Sequence, residues 1–136
     1  MKGSASLKAQ IAAFAQKNEA RFDALARQSV QALAHGVVED TPLDTGFLRG
    51  SWQPSIGEPS MTHKGEMDAS GGLITAKLAS IIPQIKTGVI FHMMNNAAYA
   101  GYVHDGTTTM AARPWVQNKV AAWPSIVRDV INDLKG

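Results

Sequence analysis

Thr41-Pro42-Leu43-Asp44-Thr45-Gly46-Phe47-Leu48-Arg49-Gly50-Ser51-Trp52 reads as a sharp corner between a long helix and a strand. Pro42 fixes its own φ and pushes Thr41 out of the α region, so a helix arriving from the N-terminal side stops there. Asp44 and Thr45 can accept hydrogen bonds from backbone N–H groups two or three residues on, and Gly46 tolerates a positive φ. Leu48 and Trp52 return to a core, with Trp52 leading the strand.

Upstream of this corner, one helical pattern runs from about Ser6 to Asp40. Leu7, Ile11, Phe14, Phe22, Leu25, Leu33 and Val37 fall on one stripe, interrupted by Asn18 and Ser29. Ser4 or Ser6 is the expected N-cap, and Gly36 is either a tolerated interior glycine or an early C-cap. A helix of this length spans about 50 Å, more than a domain of this size can cover, so either it packs on a sheet at one end alone or, the favoured reading, its free end docks on a neighbouring subunit.

Downstream, Ser51 to Gly57 forms a short strand. Glu58 to Gly72 is rich in Gly, Pro, Ser and Met, lacks periodicity and reads as a flexible surface loop. Its removal (59–71) is expected to leave a folded protomer and impair assembly. Ser70 is the expected cap of a short helix from Leu73 to Ile82, with a strand reading also open, and Pro83 ends it. Lys86-Thr87-Gly88 turns into a second strand, Val89 to Met94, closed by Asn95-Asn96. One or two helical turns follow from Ala97 to His104, then a loop from Thr107 to Ala112. Arg113-Pro114-Trp115 opens a last helix, 113–135, whose apolar register (Val116, Val120, Trp123, Val127, Val130, Leu134) runs through Pro124, predicting a kink there and not a break. The fold class is therefore α+β in one domain, 1–136. A long N-terminal helix and a kinked C-terminal helix pack on a small, mainly antiparallel sheet with an extra short helix.

Composition narrows the function. The 136 residues hold no cysteine, which removes disulfides and thiolate metal sites. Lys and Arg number 13 against 11 Asp and Glu and are dispersed, so no basic stripe marks a nucleic-acid or anionic-membrane surface. No apolar run approaches the ~20 residues of a membrane helix, and Met1 to Ser6 does not have the make-up of a signal peptide. Asp44-Thr45-Gly46 is the triplet of aspartic proteases, but those need the Asp at the end of a buried strand, and Glu39, Asp40 and Pro42 precede this one. Asp44 is better read as the cap of the turn around Phe47. His35, His63, His92 and His104 are scattered, without metal-ligand spacing, and His104-Asp105 are neighbours not expected to face each other. No catalytic residue, cofactor or metal is expected.

The corner sequence resembles the "TPVDTG-x-LR-x-SW" signature of neck and tail-completion proteins of long-tailed bacteriophages. Asn95-Asn96-Ala97-Ala98-Tyr99-Ala100-Gly101-Tyr102-Val103, then Gly106-Thr107, is similar to that family's "N-x-x-x-YA-x-x-V/L-E-x-G-T" segment, and Arg113-Pro114-Trp115 to its "R-P-F/W" opening of the last helix. His104 stands where the family favours Glu, which touches any subunit salt bridge made there but not the fold.

The resemblance implies a non-enzymatic virion protein, made in the host cytoplasm, that forms a ring, a hexamer, at the head–tail junction. The ring would join the portal-side connector or head-completion protein to the tail terminator or tail tube, with DNA passing through the lumen and no membrane partner. It further implies a structural joint of Pro42, Asp44, Thr45, Gly46, Leu48, Arg49 and Trp52, and a second motif of Asn96, Tyr99, Ala100, Gly106, Arg113, Pro114 and Trp115. Leu7, Ile11, Phe14, Glu58, Met61, Met67, Thr108 and Met110 are the expected inter-subunit residues. The alternative classes are a nucleic-acid-binding or assembly-assisting protein acting as monomer or dimer, and, more remotely, the small protease.

Overall fold

A computed structural model of the chain describes residues 2–43, 46–60 and 65–135, without the side chains of residues 2–6. The first helix, α1, covers Lys2–Asp40, 39 residues and about 58 Å at 1.5 Å each. It begins before Ser4 and Ser6, so neither serine is its N-cap; alanine-rich sequence carries the helix past both. The chain then bends through 41–48 and a 3₁₀ turn, Arg49–Ser51, into β1 (Trp52–Ile56). After the loop come α2 (Gly72–Ile81), a second 3₁₀ turn (Ile82–Gln84) and β2 (Phe91–Asn95). Three helices complete the chain: α3 (Ala100–Asp105), α4 (Trp115–Ala121) and α5 (Trp123–Lys135). The α+β expectation holds.

β1 and β2 pair antiparallel, Trp52 opposite Asn95 and Ile56 opposite Phe91. A two-stranded ribbon is marginal alone. Here Trp52 and Pro54 turn inward, and α2 covers β1 with Ile74 and Leu78, which are fully buried. Val37 and Val38 from α1, Leu48, Ile82, Ile85, Ala97 and Trp115 close one core around them. The segment 72–82 is thus helical, and its strand alternative falls.

The α1 stripe is divided in two. Val37 is buried, Leu25 and Leu33 are half-buried, and Ser29, expected as a polar interruption, is inside at 1% exposure. Leu7, Ile11, Phe14 and Phe22 are each more than half exposed. Periodicity marks a face; it does not say how much of that face the rest of the chain reaches.

The C-terminal helix is interrupted, not merely kinked. Ala122 separates α4 from α5 and donates its N–H to Lys119 O at 3.1 Å. The interruption moves Pro124 from a helix interior to the first turn of α5, where its missing N–H has no acceptor to satisfy. Both helices run back along α1. Lys119 crosses Gly36, which is a helix-interior position, and meets Asp40 at 3.1 Å, while Leu134 reaches the level of Phe22. A side chain at 36 would collide with the lysine stem.

Midway along α1, Asp23 Oδ1 accepts the Thr87 N–H at 2.9 Å and ties the helix to the turn before β2. The Thr87 backbone hydrogen bond, then the Thr87 side chain, hold the Asp23 carboxyl below the usual carboxylate range. A depressed folded-state pKa means stability present above the ordinary carboxylate value and lost as pH falls through the lowered one. Asp23→Asn should therefore lower the urea midpoint at pH 7 and flatten its fall between neutral and strongly acid pH. An unchanged acid limb would show that this tether contributes nothing.

Candidate functional site

The corner is held by side chains that the two ends of α1 and β1 deliver to one place. Arg49 is the hub. Its Nε donates to Val38 O at 3.2 Å and Nη2 to Glu39 O at 3.3 Å, while Nη1 donates to Ala69 O at 2.6 Å. One guanidinium thus caps the last carbonyls of α1 and fastens the loop before α2 to them. Thr41 Oγ1 donates to Val37 O at 2.7 Å and accepts the Trp52 indole N–H at 3.0 Å, linking helix end to strand start inside the core. Ser51 Oγ donates to Phe47 O at 2.6 Å. Pro42 is half-buried, and Leu48 is buried.

Glycines let the backbones meet. Gly46 sits at φ 85°, and its carbonyl accepts both the Gly50 and Asp68 N–H groups, at 2.9 and 3.0 Å. A Cβ on Gly50 would overlap the Glu66 carbonyl oxygen. Asp44, Thr45 and Met61 lie outside the described residues, so the proposed Asp44 cap is not placed. The stretches on either side of Asp44-Thr45, 41–43 and 46–48, contain no strand, whereas an aspartic protease places its triplet at a strand end.

Residues 65–71 are part of the corner. Asp68 is buried, and its two carboxylate oxygens accept the N–H groups of Leu73 and Ile74 at 3.1 and 2.9 Å. It caps α2 and places a negative charge at the helix N-terminus. Ser70, the expected cap, accepts only the Gly72 N–H, at 3.2 Å. The idea that 59–71 can be removed without loss of fold is thereby corrected: the deletion takes away the α2 cap and the third acceptor of Arg49.

The second motif locks onto the first. Asn95 Nδ2 donates to Leu48 O at 2.8 Å, its Oδ1 accepts the Ala97 N–H at 3.0 Å, and Asn96 N–H donates to Ser51 O at 3.1 Å. Asn95, with Thr41 and Asp68, is a joint residue that sequence reading passed over. An Asn closing a strand beside an Ala-Ala run was the available signal. Tyr99 stays largely at the surface, its ring 6.3 Å from that of Phe47, and Ala100 opens α3. Gly106 ends α3 at φ 83°, where a Cβ would crowd the Ala112 N. Arg113 is exposed and contributes its N–H to Val103 O at 3.1 Å. Pro114 precedes α4, and Trp115 is buried edge-on to His104 at 5.2 Å.

His104 and Asp105, not expected to face each other, do so. His104 Nδ1 lies 2.8 Å from Asp105 Oδ1, and Nε2 accepts the Gln117 N–H at 3.4 Å, which assigns the proton to Nδ1. Asp105 remains exposed, so the carboxylate is carried one position beyond His104.

Of the expected inter-subunit residues, Leu7, Ile11, Phe14, Glu58, Met67, Thr108 and Met110 are all exposed. They are not one surface: the first three stand on the outer half of α1, Glu58 and Met67 flank the corner loop, and the last two lie in the turn closed by Thr107 N–H to Met110 O at 2.8 Å. No family model matches the chain, and neither a curated protein nor a solved structure matches it.

Arg49→Lys keeps the charge and loses the fork, and should cost about 1.5–3 kcal/mol in chemical denaturation. Gly50→Ala should cost about 1–3 kcal/mol by forcing the loop off the corner. Wild-type midpoints for both variants would mean that the corner is not the joint of the fold.

Proposed function

We propose that this chain is a structural protein of the bacteriophage head–tail junction, assembling with copies of itself into a ring, a hexamer, between the portal-side connector and the tail terminator or tail tube. DNA passes through the ring lumen without sequence-specific contacts. The observation that carries the reading is the outer half of α1. Leu7, Ile11, Phe14 and Phe22 form an exposed apolar row on a helix whose other end is fixed by Arg49 and Thr41. Monomeric proteins rarely leave such a row uncovered. A ring subunit needs a rigid body with a projecting element that reaches its neighbour, and cyclic closure needs contacts between unlike surfaces.

Two further features support it. The three sequence motifs that resemble those of neck and tail-completion proteins supply hydrogen bonds or buried side chains that set the angle between α1, the sheet and α4. Arg49 and Asn95 bond backbone carbonyls and Leu48, Trp52 and Trp115 pack in the core, the use expected of parts that shape a protomer. Glu58, Glu66, Met67 and the residues of the 107–112 turn lie at the surface, available to axial neighbours.

Immunogold labelling of virions that contain this chain tests the reading. Label at the junction of capsid and tail is the expected result; label confined to the capsid shell, the fibres or the tail tip would refute it.

A further inference from the structure

The two edges of the sheet are unlike. Gly57 N–H donates to Ile90 O at 2.9 Å and Asn96 N–H to Ser51 O at 3.1 Å, and in that register the even-numbered residues of β2 bond β1. Phe91 and Met93 therefore turn both N–H and C=O outward, about 7 Å apart along the free edge. No described residue bonds these groups. On β1 the outward positions are spent: the Trp52 N–H is taken by Arg49 O, and Pro54 has no N–H.

The helical layer reaches further than the strands. α2 packs on β1, α1 lies beside α2 and α4 beside α1, while the sheet of the described residues stops at β2. Phe91 and Met93 stand opposite Ile56 and Pro54 and share their inner face, where both are only half-buried. Next to them opens an apolar cavity of about 210 Å³, lined also by Leu33, Val37, Val116 and Val120 and by no ionisable residue. Val120, on α4, is 51% exposed.

A row of outward donors and acceptors two residues apart is matched by another extended backbone. An added strand turns every second side chain to the inner face, where the cavity would receive one. Its uncharged lining suits an aliphatic or aromatic anchor and rejects a charged one. A second copy's sheet fits the edge badly. Its β1 edge lacks a donor at Pro54, so sheets cannot be joined head to tail. Antiparallel pairing of two β2 edges would set both helical layers on one face, where α4 already lines the space beside β2.

We propose that the free edge of β2 accepts an extended segment of a different protein as a third strand, anchored by an apolar side chain in the cavity between β2 and α4. The inference rests on the virion reading above for where that protein is met, and on the edge for its chemistry.

Hydrogen–deuterium exchange, read residue by residue on the free chain and on virions that contain it, tests the edge. In the free chain the Phe91 and Met93 amides should exchange about tenfold or more faster than those of His92 and Met94, which face β1. In the virion they should slow to match them. Val120→Lys, at an exposed position, should leave the fold unchanged by circular dichroism and lower retention in virions about tenfold, because the added strand would bury an unpaired charge. Val120→Ile should be retained. Met93→Pro removes an outward donor as Pro54 does on β1 and should act like Val120→Lys; if it fails to fold, Val120→Lys decides.

Edge amides as fast in the virion as in the free chain, or wild-type retention of Val120→Lys, overturn the proposal. Protection that appears in the free chain alone as its concentration rises gives the edge to a second copy and overturns the occupant. A chain located at the head–tail junction with an unprotected edge refutes the docking and leaves the ring reading intact. An edge protected in virions whose immunogold label lies elsewhere keeps the docking and refutes the location.

Discussion

The C-terminus of α1 is electrostatically wrong for a helix, and the fold depends on correcting it. Its last turn holds Glu39 and Asp40 and no basic residue, against a macrodipole that favours cations there. Two residues from elsewhere make good the deficit. Arg49 lays its guanidinium across the Val38 and Glu39 carbonyls, and Lys119 comes over Gly36 to Asp40. The first brings the strand and corner loop to the helix end; the second brings α4. Both contacts act on elements that the buried core of Val37, Val38, Leu48 and Trp115 also joins to the helix end.

Local stability follows from the same arrangement. The last eleven residues of α1, beyond Ser29, pack against α2, α4 and the sheet, α5 runs along the middle of the helix, and the corner adds hydrogen bonds from Thr41, Arg49, Ser51 and Asn95. The outer half has few buried contacts and rests on helix propensity. Opening free energies should therefore fall steadily from corner to tip. A surface that must yield to a neighbour is drawn from the weaker end.

Much of the fold was legible because apolar spacing reports on faces. The run of α1 to Asp40, Trp52 at the head of a strand and helix after Arg113-Pro114 lie where the pattern puts them, while the outer α1 stripe and Val120, Trp123 and Leu134 of the last-helix register stay exposed. Three features were not legible, each for a physical reason. Ser29 is a small polar residue that spacing marks as an interruption, while close helix packing takes it inside. Pro124 fits the apolar register, but a one-residue break at Ala122 relieves it more cheaply than a kink. Asp68 caps α2 through N–H groups five and six residues further on by folding its own loop back, so no local pattern announced it. Of the candidate site, Arg49, Gly46, Leu48, Trp52 and Trp115 were readable as members of a joint; Thr41 and Asn95 became visible only as hydrogen-bond partners across it.

The length of α1 turns small angles into large displacements. Leu7 lies 34 residues before Thr41, so a tilt of about 5° at the bend carries that leucine some 4 Å, nearly one helical turn. Slack of that size would shift every side chain on the arm out of register with whatever it meets. A lever tolerates such slack only at its tip, never at its fulcrum, and dense bonding of one short bend is what keeps the reach of a long arm reproducible from copy to copy.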